Sequence, residues 1–316
     1  MQAIISKILP ILMLLALGLI IRRFRLIDDK GMHGIRKIII DVAIPALLFK
    51  IFLEMDLRIE YLAVVAIAMA FYLLAHLGGR VLRRFKPLKF RMLPYVTTAF
   101  SFGLIGVPLF QIAFGVENLD SLSILGIANE LFTWIFLVTF FKIDYNNERF
   151  GLGTVKKLAT SPLLICVFSG LLLNILGLTE FIQTTVVLDG IYTTVEMVAG
   201  VVTPLILISV GYGIVIKKQY VKASIKYVLV RLAILFIVGY AVKLLVLDRL
   251  VQDKYFDFAF FTLLILPPSM GIQIVAVDYC TQEELDIGSN IIAVSTIACI
   301  VMFVGYVIVV SAMGLV

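Results

Sequence analysis

Charged side chains are what this sequence has least of. Asp, Glu, Lys and Arg make up 15% of its 316 residues and hydrophobic residues 62%, where soluble domains run near half apolar and a quarter charged. That excludes a water-soluble globular chain, because no soluble core could hide so much apolar surface. Cysteine is nearly absent too. Cys166, Cys280 and Cys299 form no metal-binding or redox spacing and read as small core hydrophobes. The two histidines, His33 and His76, are isolated. There is no H-E-x-x-H, no G-x-S-x-G and no Gly-rich loop ending in Lys-Ser/Thr, so metal hydrolysis, a serine nucleophile and ATP-driven pumping lack their usual apparatus. The expectation is no enzyme, no cofactor and no bound metal. Proline is also sparse, nine residues in all, which makes the adjacent Pro267 and Pro268 inside an apolar run conspicuous.

What is present is apolar length. A membrane span needs about 20 apolar residues, and ten such runs can be placed, roughly 2–21, 35–54, 59–80, 92–115, 120–141, 158–178, 190–216, 226–247, 256–278 and 287–313. The first is too long for a signal peptide and is followed, not preceded, by Arg22, Arg23 and Arg25, so it is expected to stay as a span. The net charge of +6 is no nucleic-acid footprint, because Lys and Arg gather at 22–37, 80–91, 142–157 and 217–231, in alternate connections. The positive-inside rule makes those loops cytoplasmic and puts both termini outside. The ninth connection, "DYCTQEELD", is expected on the same side although it has no Lys or Arg.

The chain also reads as two copies. "PILMLLALGLIIRRFRL" (10–26) lies over "PLLICVFSGLLLNILGL" (162–178) without a gap, so Pro10 meets Pro162, Gly18 meets Gly170 and Leu26 meets Leu178. Pro45 in "IPALLF" matches Pro204 in "TPLILI", and "GLIGVPLFQIAFGVEN" (103–118) lies against "PSMGIQIVAVDYCTQE" (268–283). Five spans per half is an odd number, so the halves, 1–150 and 151–316, insert with opposite orientation. Proline lacks an N–H and clashes with the carbonyl four residues back. Pro267 and Pro268 therefore release the carbonyls of Leu263 and Leu264, and Pro108 that of Leu104. Broken backbone at membrane depth survives only where protein or a watery cavity satisfies it. The expectation is an all-α polytopic protein whose spans four and nine are discontinuous, with half-helix N-termini that suit an anion.

With those residues in view, the sequence resembles the auxin efflux carrier family, which includes bacterial malate permease-like carriers and plant PIN-type transporters. The likeness runs through "IPALLF", "GLIGVPLFQIAFG", "SPLLICVFSGLLLN", "LPPSMGIQIVAVDY" and "STIACIVM" over essentially the whole chain. It implies secondary transport of small organic anions, such as malate or auxin-like acids, by crossing helices four and nine. It further implies a scaffold of spans 1, 2, 6 and 7, a transport domain of spans 3–5 and 8–10, elevator motion and a homodimer in the plasma membrane. Ser101 and Ser161 stand where the family often has Asn, and span three is apolar near Val64 and Val65 where PIN-type carriers bear an Asp. Substrate identity therefore does not carry across.

The candidate substrate-binding residues are Ser101, Gly103, Gly106, Pro108 and Gln111 at the first break, Pro267, Pro268, Ser269, Gly271 and Gln273 at the second, and Ser161. Each polar one has the alternative of merely tying up carbonyls freed by proline. Glu130, beside Asn129 near the centre of span five, is the sharpest polar signal, since an ionised group there costs about 3 kcal/mol or more. It is a candidate for proton coupling, with a protonated packing role as the alternative; PIN-type carriers have Gln there. Lys37 with Asp41, and Lys50 with Glu54, have the spacing of local i,i+4 ion pairs. Glu196 is expected to face the outer vestibule. The partners expected are a small carboxylate, a proton or sodium ion and lipid. The competing readings are a cation-coupled symporter or antiporter of the bile acid symporter type, against which stands the lack of adjacent intramembrane acids, and a membrane receptor that binds without transporting.

Overall fold

The computed structural model describes residues 2–55, 60–146, 162–214, 216–269, 272, 275–276 and 279–315. Among them the regular structure is entirely helical. Five stretches are long and apolar enough to cross a membrane: Glu60–Leu82, Val116–Tyr145, Val186–Gly213, Lys218–Leu250 and Gln282–Ala312. Shorter apolar helices, Phe102–Phe114 and Ile165–Ile175, accompany them. The protein is an all-helical membrane-embedded chain. It divides into two compact units, one of Met1–Arg58, Gly103–Ser123 and Leu152–Gly213, the other of Ile59–Phe102, Ile124–Gly151 and Ile214–Val316.

The first unit is built on two helix pairs. Helix α1 (Gln2–Arg23) packs along α12 (Val202–Gly213), and α9 (Pro162–Ile175) packs along α3 (Ile44–Glu54). Both contacts are main chain on main chain. A Cβ on Gly18 would lie 2.1 Å from the Ile208 carbonyl oxygen and 2.7 Å from the Tyr212 nitrogen, and one on Gly170 2.6 Å from the Phe49 oxygen and 3.3 Å from the Leu53 nitrogen. Small residues that let backbones approach are the usual means of joining helices in lipid, where burial gives little drive. Ile208 and Tyr212 follow Pro204 by four and eight residues, as Phe49 and Leu53 follow Pro45.

The ends of α1 and α9 match as well. Arg25 and Gly177 both take positive φ, 52° and 67°. Leu26 donates to the Ile21 carbonyl and Arg25 to that of Arg22, while Leu178 donates to Leu173 and Gly177 to Asn174. Each is a Schellman stop, which needs a left-handed residue just past the helix. Asn174 then donates to the Phe52 and Met55 carbonyls, at 3.1 and 2.7 Å, and closes the end of α3. Helix α2 (Asp29–Ile38), capped by Asp28, precedes α3 across a π-helical turn, Ile39–Ala43. Helices α10 (Thr179–Thr184) and α11 (Val186–Gly200) follow α9, and α6 (Val107–Phe114) packs on α12 and α1.

The local pairings expected of Lys37–Asp41 and Lys50–Glu54 do not form among the described residues. The π-helical turn containing Asp41 widens the helix beyond 3.6 residues per turn, so the i,i+4 register with Lys37 is lost. Lys50 pairs instead with Glu196 of α11, and Glu54 accepts from Tyr192 and, at 3.0 Å, from Gln183. A facing helix offers a better-placed partner than the same helix does. Of the cysteines, Cys299 is buried, whereas Cys166 and Cys280 are half-buried.

In the second unit, α13 (Val221–Val242) is the centre: α4 (Glu60–Leu82), α15 (Lys254–Ile265) and α16 (Gln282–Ala312) all pack on it. Short α5 (Leu93–Val96) lies against α4. Helix α7 (Leu119–Phe132) runs through a π-helical turn, Thr133–Leu137, into α8 (Val138–Asn146), and α14 (Asp248–Leu250) ends the α13 stretch. Asp253 caps α15, and a reciprocal capping box of Thr281 and Glu284 starts α16. The core is aromatic around Phe100, whose ring centroid lies 5.4 Å from that of Tyr72 and 6.4 Å from that of Phe71.

Candidate functional site

Two stretches of backbone inside the second unit leave helical conformation although both are buried. The first, at 99–101, follows α5; the second, at 266–269, follows α15. Leu266 has φ −57° and ψ 143°, the conformation that a following proline imposes. In a nonpolar interior each unpaired N–H or C=O costs several kcal/mol, so every group on these stretches must be traced to a partner.

The two stretches supply partners to each other. Ser101 donates its N–H to the Pro267 carbonyl and its hydroxyl to that of Pro268, both at 2.9 Å. Asn129 faces the Phe100 peptide with both ends of its amide: Oδ1 accepts from the N–H and Nδ2 donates to the carbonyl, both at 3.3 Å. The hydroxyls of Thr97 and Thr98 donate to the Pro94 carbonyl at 2.9 and 2.7 Å. The carbonyl of Leu263, freed by Pro267, is taken by the Leu266 N–H at 3.2 Å in a tightened last turn.

Three further carbonyls go to Arg231. Its Nη1 donates to Val96, and its Nη2 donates to Ala99 at 3.2 Å and to Leu266 at 2.9 Å, so one guanidinium bridges both interruptions. It sits over the Phe100 ring, 4.8 Å from the centroid, and is 1% exposed. By sequence this residue falls both in the basic run 217–231, taken as a cytoplasmic connection, and in the span expected at 226–247. The structure decides for the span: Arg231 lies ten residues into α13, about 15 Å from its start at 1.5 Å per residue. The available signal was its flanks, "YVLV" before it and "LAILF" after, which are too apolar for a loop.

Of the sequence-derived candidates, Ser101, Pro267 and Pro268 are therefore joined directly, and Asn129 is tied to the residue next to Ser101. Glu130 is half-buried beside it, with Asn129 Nδ2 3.4 Å from its Oε1. Ser269 is half-buried at the end of the second non-helical stretch. Gly103, Gly106, Pro108 and Gln111 belong to the other unit. There, Pro108 sits in the first turn of α6, where a missing N–H costs nothing, after a π-helical turn, Phe102–Gly106. Gln111 accepts from the Thr203 hydroxyl of α12 at 2.8 Å, and Gly103 borders Ile44. Ser161, Gly271 and Gln273 lie outside the described residues. Among the described residues no group of three His, Cys, Asp or Glu side chains is arranged to hold a metal ion.

This arrangement presents fixed dipoles, the Ser101 hydroxyl and a cation at one buried place, a setting that suits an anionic ligand. Compared with protein-family models and with curated proteins, the chain has no match.

Proposed function

We infer that the protein is a secondary carrier of small organic anions, mono- or dicarboxylates such as malate or auxin-like acids. It has ten spans in a five-plus-five inverted repeat of the auxin efflux carrier type, sits in the plasma membrane with both termini outside, and acts as a homodimer. The observation that carries this reading is the joined pair of buried interruptions, Phe100–Ser101 against Leu266–Pro268. Non-helical backbone in lipid is tolerated only where protein buries it or where it lines a watery cavity, and paired interruptions of this kind form the substrate sites of many secondary carriers. The likeness of the Arg25 and Gly177 helix stops and the equivalent seats of Gly18 and Gly170 support the repeat.

Within this reading the first unit is the scaffold and the second the transporting body. Glu130 is the proton-coupling group. It reaches the interruption through Asn129, which holds the Phe100 peptide, so a change of its charge is felt at the site. Neutralising it on protonation lets an anion enter a region that the carboxylate would otherwise repel.

The direct test is counterflow in proteoliposomes with labelled malate and indole-3-acetate, with and without an imposed pH or sodium gradient. Accumulation driven by a pH gradient is the expected result. Accumulation that needs sodium would favour the sodium-coupled symporter, and ligand binding without any transport would make the protein a receptor. For coupling, Glu130→Gln should abolish the dependence of uptake on the pH gradient while leaving exchange intact; unchanged dependence would remove Glu130 from the mechanism.

A further inference from the structure

Arg231 is bonded to carbonyls at both interruptions, and those bonds leave its charge unanswered. Carbonyl oxygens satisfy hydrogens but carry no net charge. Among the described residues no carboxylate is bonded to Arg231, and its Nε has no hydrogen-bond partner at all. An isolated buried ion is costly, and removing the counter-charge from a buried pair is among the most destabilising of changes. A folded chain that keeps such a cation, where a hydrophobic residue would otherwise pack, has a use for its charge.

Arginine is never deprotonated under ordinary conditions, so this is a permanent positive centre. It lies in the second unit within hydrogen-bond reach of Ala99 and Leu266, residues one or two positions from Ser101 and Pro267. The charge acts over several ångströms in a medium far less polar than water. A ligand carboxylate arriving at the interruptions supplies the missing counter-charge. A neutral analogue of the same shape does not.

We propose that Arg231 is the specificity-determining residue of the crossing: it fastens the two interrupted segments, and its charge, to which no carboxylate among the described residues is bonded, selects carboxylates over neutral isosteres. The inference rests on the reading of the crossing as the ligand site. Fastening alone would make Arg231 a positioning residue whose loss weakens charged and neutral ligands alike. Charge selection predicts a change in their ratio, which a purely structural role does not move.

The experiment measures competition binding to the purified full-length protein in nanodiscs, with malate against malamide and indole-3-acetate against indole-3-acetamide. It compares wild type with Arg231→Gln and Arg231→Lys. The wild type should prefer at least one acid over its amide by about tenfold or more. Arg231→Gln keeps donors for the carbonyls but no charge, and its acid-to-amide ratio should fall by about tenfold. Arg231→Lys keeps a charge that can be titrated. It is compared with Arg231 in a Glu130→Gln background, which removes the proposed coupling group, and Cys299 of α16, which also acts on this position, is present in both proteins. The ratio of the Lys variant should decline as pH is raised from about 6.5 to 9.5 while that of the protein with Arg231 intact stays flat. Should the Gln variant not be obtained folded, the Lys titration decides alone. A ratio unchanged in Arg231→Gln, or in its place a flat ratio in Arg231→Lys, overturns the inference while leaving the carrier reading standing. A wild type that prefers neither acid over its amide overturns the carrier reading itself, and the inference with it.

Discussion

Gly18 and Gly170 join helices in the first unit by having no side chain, whereas Arg231, Asn129 and Ser101 join broken backbone in the second by having side chains of the right kind. Both regions bring main chain close to main chain in a nonpolar setting. In the first, the peptide groups at the seams stay within helices and the contact is van der Waals packing, which gains from closeness alone. In the second, helical bonds are given up and replaced one by one with side-chain partners. The difference teaches where a ligand could act. A glycine seam has nothing to exchange with a solute, but a set of replaced hydrogen bonds is a set of polar groups already positioned, some with capacity to spare.

The comparison can be broken most severely at the seam. Gly18→Leu places a Cβ where the Ile208 carbonyl oxygen leaves 2.1 Å, so α1 and α12 must separate along their length. We expect a loss of several kcal/mol, measured as failure to recover monodisperse protein. Gly34→Leu, at a helical glycine with nothing within 4 Å of its would-be Cβ, should leave yield and melting temperature near the wild type.

An intermediate effect is expected at the crossing. Asn129→Ala leaves both the N–H and the carbonyl of Phe100 without their partner, for a cost of about 2–4 kcal/mol, and Ser101→Ala leaves the Pro268 carbonyl, for about 1–2 kcal/mol. Thermal unfolding in detergent reads the stability. Hydrogen exchange at Phe100 should rise in Asn129→Ala more than at Leu53 or Tyr212 beside the glycine seams. Equal acceleration at all three positions would mean that the units do not differ in the way described.

The smallest effect belongs to the matched helix stops. Arg25 has φ 52°, where an L side chain is strained, and Gly177 has φ 67°. Arg25→Gly should therefore stabilise by up to about 1 kcal/mol, and Gly177→Ala should destabilise by a similar amount. Melting temperatures that move in the same direction for both variants would contradict the equivalence of the two ends.

Much of this was legible in the sequence because it rests on local physics. Apolar length marks the spans, and Pro267 and Pro268 mark the second interruption, since proline acts on its own helix regardless of neighbours. The first, expected at 103–108, which is helical, lies instead at 99–101. The glycine pair 18 and 170 was visible as an aligned feature, although the atoms each meets were not. What could not be read depends on tertiary partners. Arg231 stands where a basic run overlaps an expected span, and only the packing of α13 reveals that it is buried and which carbonyls it takes. Lys50 finds Glu196 rather than Glu54 because a facing helix intervenes, and Asp41 loses Lys37 to a π-helical turn that no spacing rule anticipates. Asn129 was read as a neighbour of Glu130, while its amide is spent on a peptide group 29 positions away.

The central claim is that a carboxylate binds beside the paired interruptions. A bromine-substituted carboxylic acid, chosen from those that compete with malate or indole-3-acetate, can be located by anomalous diffraction from crystals of the wild-type protein. The account predicts a bromine peak within one ligand length of Ser101, Pro268 and Ser269, absent when excess unlabelled acid is added. A competable peak at any other place in the protein would contradict it.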